Sequence, residues 1–214
     1  SSGDTITGTG AVTLDSTMDM TIGGDITTNG TTTLSTDNNL TLAAGKTLNS
    51  QDNEVSMTSF SLDLDGSLNV GAGNLDLIAY GSDAWISLGT EDLSYAISND
   101  EFSRITVSGE TQIGGSNIRS LQSKGVTEVA TDGITGMLTL NATADEGEVL
   151  FWAGSSTFDS LTVNADDYIL VSADVTTTTG DLILDGDSDG SSDSDNGIKI
   201  SNTRTLTSGK NLIL

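Results

Sequence analysis

Five aspartates crowd one short stretch of the chain, "DGDSDGSSDSDNG" at 185–197. They are Asp185, Asp187, Asp189, Asp193 and Asp195. The stretch begins like a D-x-D-x-D-G calcium loop, in which the first three aspartates supply oxygen ligands and a glycine permits the bend. Asn196 stands where an EF-hand loop has a bidentate glutamate, so Asp193 or Asp195 would have to close the site. The sequence leaves two interpretations open, a structural calcium site and a solvated acidic turn.

Catalytic side chains are scarce in this sequence. It contains no His and no Cys, and its seven Lys and Arg residues are scattered. Carboxylate pairs such as Asp63/Asp65 and Asp166/Asp167 are expected from the abundance of Asp alone, and they have no cluster of basic residues beside them. We therefore predict that the protein is not an enzyme. A polysaccharide lyase or hydrolase is the most distant of the alternatives.

The charge balance restricts the partners. The formal net charge is −24, from 31 acidic and 7 basic residues. Such a surface repels phosphate backbones and anionic lipid, so we expect no nucleic-acid partner. The longest apolar run, "VLFWA" at 149–153, is far too short to cross a bilayer, and we expect no membrane insertion.

A short pattern of alternating polar and apolar residues returns along the chain. Examples are "AVTLD" at 11–15, "NLTLA" at 39–43, "SLDLD" at 61–65, "NLDLI" at 74–78, "SLTVN" at 160–164 and "DLILD" at 181–185. Alternation with a period of two is typical of a strand with one buried face. Gly, Asn, Asp and Ser separate these segments and favour turns. The pattern predicts an all-β protein.

The longer repeat indicates how these strands are arranged. Core-type leucines recur after about 20 residues, as from Leu138 to Leu161 and from Leu161 to Leu182. This spacing predicts a parallel β-solenoid with about three short strands in each coil of roughly 20 residues. The lack of Pro fits, because most strand residues must donate to a neighbouring coil. We expect one solenoid domain over 1–214, and a β-sandwich is the alternative.

The pattern fades over 80–135, where aromatic and basic residues gather. The residues of interest are Tyr80, Trp85, Tyr95, Phe102 and Arg104. One interpretation is a set of less regular coils with longer loops. The other is a lateral contact surface, because aromatic residues and Arg are enriched in interfaces.

Two phrases carry a resemblance to a known family. The segments "NLTLAAGKTLNS" at 39–50 and "NTRTLTSGKNLIL" at 202–214 resemble the repeats of filamentous haemagglutinin-type adhesins. Those bacterial surface proteins are commonly exported by two-partner secretion and are built as right-handed parallel β-helices. The resemblance covers most of the chain except 80–135, and it implies a right-handed β-helix at the cell surface.

The two ends of the sequence continue the repeat into each other. Joining "KNLIL" to "SSGDTITGTGAVTL" leaves the alternation unbroken, and neither end has a capping segment. We expect either head-to-tail stacking of copies or a segment of a longer solenoid. The residues predicted to form the polymer interface are Ile6, Val12, Leu14, Leu206, Leu212, Ile213 and Leu214.

The sequence therefore predicts a structural subunit of an extracellular filament or adhesin shaft. Its expected partners are copies of itself, with carbohydrate or a cell surface as a further candidate. The alternative function is a carbohydrate- or surface-binding adhesin module, whose site would lie within 80–135. No cofactor is expected to be required, apart from the candidate structural calcium.

Overall fold

Short parallel strands form almost all of the protein. A computed structural model describes residues 4–90, 92–191 and 195–214. In this part of the chain every strand pairs in parallel with strands of neighbouring coils, and the strands contain two to six residues. The architecture is a parallel β-solenoid, which confirms the fold class predicted from the alternating pattern. No helix within the described ranges is long and apolar enough to span a bilayer.

Each coil contributes to three faces, which we number in chain order. The first face consists of β1 (Thr5–Gly8), β4 (Asp25–Thr28), β7 (Thr47–Asn49), β10 (Ser67–Gly71) and β14 (Ile105–Val107), then β19 (Ser156–Phe158), β22 (Val175–Thr177) and β25 (Leu206–Thr207). The second face is one sheet of β2 (Val12–Ser16), β5 (Thr32–Thr36), β8 (Val55–Ser59), β11 (Leu75–Ala79), β15 (Thr111–Gly115), β17 (Leu138–Ala142), β20 (Leu161–Ala165), β23 (Leu182–Asp185) and β26 (Leu212–Ile213).

The third face is divided into two sheets. The smaller sheet is β3 (Met20–Ile22), β6 (Asn39–Leu42) and β9 (Ser61–Leu64). The larger sheet has the order β13 (Tyr95–Ser98), β12 (Ala84–Gly89), β16 (Ile118–Ser123), β18 (Glu148–Phe151), β21 (Tyr168–Val171) and β24 (Gly197–Ile200). Two short helices, α1 (Asn99–Phe102) and α2 (Glu128–Thr131), lie against each other at the irregular coils.

Apolar side chains stack in rows inside the coil because equivalent residues pair from one coil to the next. One inward row of the second face contains Leu14, Leu34, Met57, Leu77, Ile113, Leu140, Val163 and Leu184. Leu34 is 1% exposed and Leu77 is fully buried, whereas Leu14 in the first coil is only half-buried. Removing these side chains from water is the main stabilising contribution to such a coil.

The coils differ in length more than the sequence repeat suggested. Along the second face, Val12 pairs with Thr32 and Val55 pairs with Leu75, which is 20 residues per coil in both cases. The pairing of Leu75 with Thr111 and of Leu182 with Leu212 requires 36 and 30 residues. The extra residues belong to the irregular region at 80–135 and to the acidic loop after β23. Ladder pairing fixes the strands, so the insertions have to leave the coil as loops, helices or an additional strand.

That additional strand is β13, which steps back along the solenoid. It follows β12 in the sequence, yet it pairs in parallel with β12 on the side opposite β16. As a result β13 lies beside β9, and each of these two strands ends its own sheet. The third face is therefore interrupted at a seam between β9 and β13.

Two side chains form hydrogen bonds with the backbone amide and carbonyl groups at one end of this seam. Glu101 accepts a hydrogen bond from the amide of Leu64 at 2.9 Å, and Arg104 donates to the carbonyl of Leu64 at 2.8 Å. Glu101 also completes a capping box with Ser98 at the start of α1. The irregular insertion is thus tied to the regular coil, because buried backbone groups must find partners.

Candidate functional site

Three exposed aromatic side chains line one cleft at the corner between the second and third faces. Ser59 pairs with Ala79, so the residues that follow them, Phe60 and Tyr80, occupy the same corner of adjacent coils. Trp85 on β12 completes the group, and the exposed fractions are 49% for Phe60, 42% for Tyr80 and 51% for Trp85. The cleft has a volume of about 460 Å³ and includes Asp37 and Asp83. Such a concentration of exposed aromatic surface is characteristic of binding sites.

The loop that carries Tyr80 is held in place by Asn117. The side-chain amide of Asn117 donates to the carbonyl of Ala79 at 2.6 Å and to that of Gly81 at 2.8 Å. The backbone carbonyl of Asn117 accepts from the backbone amide of Ala84 at 3.0 Å. Gly81 has φ of 102°, a left-handed conformation that favours glycine. The aromatic cleft is therefore organised by the neighbouring coil.

Asp37 is the acidic partner of the aromatic group. Interaction of the Tyr80 hydroxyl with the Asp37 carboxylate, through hydrogen bonding first and negative charge second, raises the pKa of Tyr80 above its ordinary value. Asp37 lies on the coil before Phe60 and is exposed. The corner thus combines apolar rings with a hydrogen-bond acceptor.

A second, polar cleft continues from the first along the seam between β9 and β13. Its volume is about 480 Å³, and it shares Leu93 and Ser94 with the aromatic cleft. Asp63 and Asp65 contribute exposed carboxylates, while Glu101 is buried and used for backbone hydrogen bonds. We call the two clefts together the seam groove. It has an aromatic arm and an acidic arm.

The structure divides the aromatic and basic residues predicted to form a lateral contact. Tyr80 and Trp85 lie on the surface in the seam groove. Tyr95 is 1% exposed and Phe102 is fully buried, so these two side chains belong to the core and are not offered to a lateral partner. Arg104 is half-buried and bonds the β9 backbone.

Sequence reasoning missed Phe60 and Asp37 as members of the site. A signal was present, because Phe60 and Tyr80 both follow an alternating segment and are separated by one 20-residue coil. Aligning the repeat coil by coil places both rings at one corner. Asp37 gives a weaker signal, since acidic residues are frequent at the turns.

The carboxylates of the acidic loop bond mainly within the loop. Asp185 accepts from the amide of Asp187 at 3.3 Å, and Asp189 accepts from the amide of Ser191 at 2.8 Å. Asp187 accepts from the side chain of Asn196 at 3.2 Å.

Asp195 pairs with Lys199 at 2.8 Å, and Asp193 lies outside the described residues. Within the described ranges no group of three or more His, Cys, Asp or Glu residues is arranged to hold a metal ion. Calcium binding by this loop remains a prediction, which a melting curve with and without chelator would test.

The predicted polymer-interface residues lie on the first and last strands of their sheets, except Leu214, which follows the last strand. Ile6 is on β1, Val12 and Leu14 are on β2, Leu206 is on β25, and Leu212 and Ile213 are on β26. The exposed fractions are 41% for Ile6, 46% for Leu212 and 63% for Leu214. Ile6 pairs with the buried Ile26, so it faces the inside of the coil and is exposed only at its open end.

Ile213 differs from the rest of this set. It pairs with Ile183, which alternates with the buried Leu182 and Leu184 and so faces outward. Leu212 pairs with Leu182 and continues the inward row. The apolar end of the coil therefore includes Leu212, whereas Ile213 lies on the outer surface of the second face.

Comparisons of the chain with sequence families, with curated proteins and with solved structures each give no match. The parallel coil is compatible with the fold that the adhesin resemblance implies. Membership of that family, and the handedness that goes with it, remain proposals.

Proposed function

We propose that this chain is a structural, non-catalytic segment of an extracellular filament or adhesin shaft. The observation that carries the proposal is the second face, where one parallel ladder joins nine strands from Val12 to Ile213. Every coil is hydrogen-bonded to the next along this face, at the strand spacing of about 4.8 Å. A continuous ladder of this kind resists bending and stretching.

The outward rows support a role in an aqueous exterior. Thr13, Thr33 and Ser56 are equivalent residues on adjacent coils, and they present hydroxyl groups. Further along, the side chain of Asn164 donates to that of Asn141 at 2.8 Å, which adds a side-chain ladder to the backbone ladder. With a net charge of −24, the surface binds water well and repels other copies laterally.

The ends of the coil support assembly along its axis. Ile6 and Leu212 face the inside of the coil but are 41% and 46% exposed. A further coil stacked on either end would bury them and pair the free strand edges. A second copy would provide it through a heterologous contact that propagates into a filament, and flanking coils of a longer chain would provide it equally well.

Immunogold electron microscopy of the producing cells tests this proposal. Antibodies raised against the chain should label shafts or fibres outside the cell. Label confined to the cytoplasm would contradict both the location and the structural role. A panel of neutral and acidic polysaccharides completes the test, because turnover of any of them would contradict the non-catalytic assignment.

A further inference from the structure

Beyond the structural role, we propose that the seam groove binds a neutral oligosaccharide across its aromatic and acidic arms. The groove consists of two adjoining clefts of about 460 and 480 Å³, each within the range of ligand sites in proteins. It lies where the solenoid departs from its regular coil, so it gives the chain a local recognition site on an otherwise repetitive rod.

The aromatic arm suits a pyranose ring. Phe60, Tyr80 and Trp85 are each between 42% and 51% exposed and line the same cleft. Leaving three aromatic rings half in water forgoes the burial that usually stabilises them, and this points to a partner that covers them. The C–H face of a sugar is flat and apolar and packs on an aromatic face.

The acidic arm suits sugar hydroxyls. Asp37 and Asp83 lie beside the rings, and Asp63 and Asp65 lie along the seam. Carboxylates accept short, charge-assisted hydrogen bonds from hydroxyl donors. A ligand that is apolar on its faces and carries hydroxyls around its edge matches both arms at once.

The charge of the groove selects against acidic glycans. Four exposed carboxylates lie along it, and the chain as a whole carries −24. Uronic, sialylated or sulfated sugars would bring a further negative charge against these groups. The proposal therefore commits to an uncharged glycan.

The groove is formed before any ligand binds. Asn117 fixes the carbonyls on both sides of Tyr80, and the back-step of β13 places the end of its sheet beside β9 along the seam. Rigid aromatic platforms lose little conformational entropy on binding, so an organised site gains affinity. Extended occupancy by several sugar units is expected, because the two clefts share Leu93 and Ser94.

The two tryptophans of the chain allow a direct test. Trp152→Ala leaves Trp85 as the sole tryptophan and serves as both reporter and control, since Trp152 follows β18, is 43% exposed and lines neither cleft. The full chain is titrated with neutral hexasaccharides of glucose, xylose, mannose and N-acetylglucosamine, and Trp85 fluorescence is recorded. We expect saturable binding of at least one of them, and a loss of about tenfold or more in affinity for Trp85→Ala measured by calorimetry.

Carboxylate variants test the acidic arm. Asp83→Asn and Asp63→Asn should each weaken binding several-fold, because an amide accepts hydrogen bonds less strongly. Asp185→Asn, in the acidic loop of a distant coil, should leave binding unchanged. Circular dichroism of every variant should match the unsubstituted chain, which separates loss of binding from loss of fold.

Several outcomes would overturn the proposal. They are no binding of any neutral hexasaccharide by the folded chain, undiminished binding by Trp85→Ala, and stronger binding of acidic than of neutral glycans. Displacement by tetramethylammonium would point to a cation in the aromatic arm. Dimerisation that Trp85→Ala abolishes would point to a second copy of the chain. None of these outcomes affects the proposed structural role, which imaging tests separately.

Discussion

Thr32 and Thr111 occupy the same inward row of the second face, and only Thr32 has its hydroxyl satisfied. Thr32 Oγ1 lies 2.8 Å from Thr28 Oγ1, which in turn donates to the carbonyl of Gly30. Thr111 Oγ1 is buried and has no hydrogen-bond partner among the described residues. We therefore expect the same residue type to have opposite energetic effects three coils apart.

Thr111→Val should stabilise the protein, because it replaces an unsatisfied buried hydroxyl with a methyl group of similar size. We expect a gain of about 1 kcal/mol in the free energy of unfolding, measured by urea denaturation. Thr32→Val is the matched control and should lose about 1 kcal/mol, since it leaves Thr28 without this partner. Equal effects of the two substitutions on the free energy of unfolding would contradict the claim that only the Thr32 hydroxyl is satisfied.

Asp92→Asn should destabilise the protein, because Asp92 is the ionic partner of a buried lysine. The side chain of Lys124 is 6% exposed and pairs with Asp92, and its ammonium lies 4.8 Å from the centre of the Trp152 ring. Without the carboxylate the buried charge loses its partner, at a cost of about 2 kcal/mol. Asp195→Asn is the control and should have little effect, because the Asp195–Lys199 pair is about half exposed.

The Asp92–Lys124 ion pair makes the stability of the protein depend on pH. The hydrogen bond from Lys124 lowers the pKa of Asp92 below its ordinary value. The ionised Asp92 therefore stabilises the folded state fully above the unfolded pKa of about 3.9. This stabilisation is lost as the pH falls through the lower folded pKa. Melting curves should show a steeper acid destabilisation for the unsubstituted chain than for Asp92→Asn. Parallel curves would contradict this.

Asp76→Asn should have the opposite effect to Asp92→Asn. Partial burial, and then the charges of Glu54 and Glu110, raise the pKa of Asp76. Protonated Asp76 is favoured in the folded state, so its contribution to stability is present below the unfolded pKa and is lost as the pH rises through the folded pKa. Asp76→Asn should therefore raise the free energy of unfolding by about 0.5 kcal/mol near pH 7 and leave it unchanged near pH 3. Urea denaturation at the two pH values measures both effects.

Where copies of this chain stack end to end, Leu212→Lys should impair the assembly, whereas Ile213→Lys should not. Leu212 continues the inward row and Ile213 the outward one, although both are nearly half exposed. A charge in the inward row would have to be buried by the next coil, at a cost of several kcal/mol. Sedimentation velocity distinguishes the two variants, and equally impaired assembly would show that stacking does not follow the row register.

The strands could be predicted from the sequence because burial alternates with a period of two. Segments such as "NLTLA" and "DLILD" fold as strands whose leucines are buried. The recurrence of leucines after roughly 20 residues predicted the length of a coil, because parallel pairing repeats the inward-facing residues once in each coil. Loops of variable length make the sequence repeat irregular without changing the strand pairing, since only the paired residues must stay in register.

The seam groove could not be predicted in the same way. Its formation depends on β13 pairing with β12 on the side away from β16, and nothing local in "YAIS" specifies that side. The burial of Tyr95 follows from the same step, because it places Tyr95 opposite the buried Ile86. Composition alone indicated that this region differs, but not which aromatic residues face water.

Cryo-electron microscopy of the native material tests the structural role most directly. We expect continuous shafts or fibres of uniform width, with a repeat of about 4.8 Å along their axis from stacked parallel coils. Each chain should occupy nine successive levels of the second face. Discrete particles in which the chain is isolated, or shafts whose strands run along the axis, would contradict it.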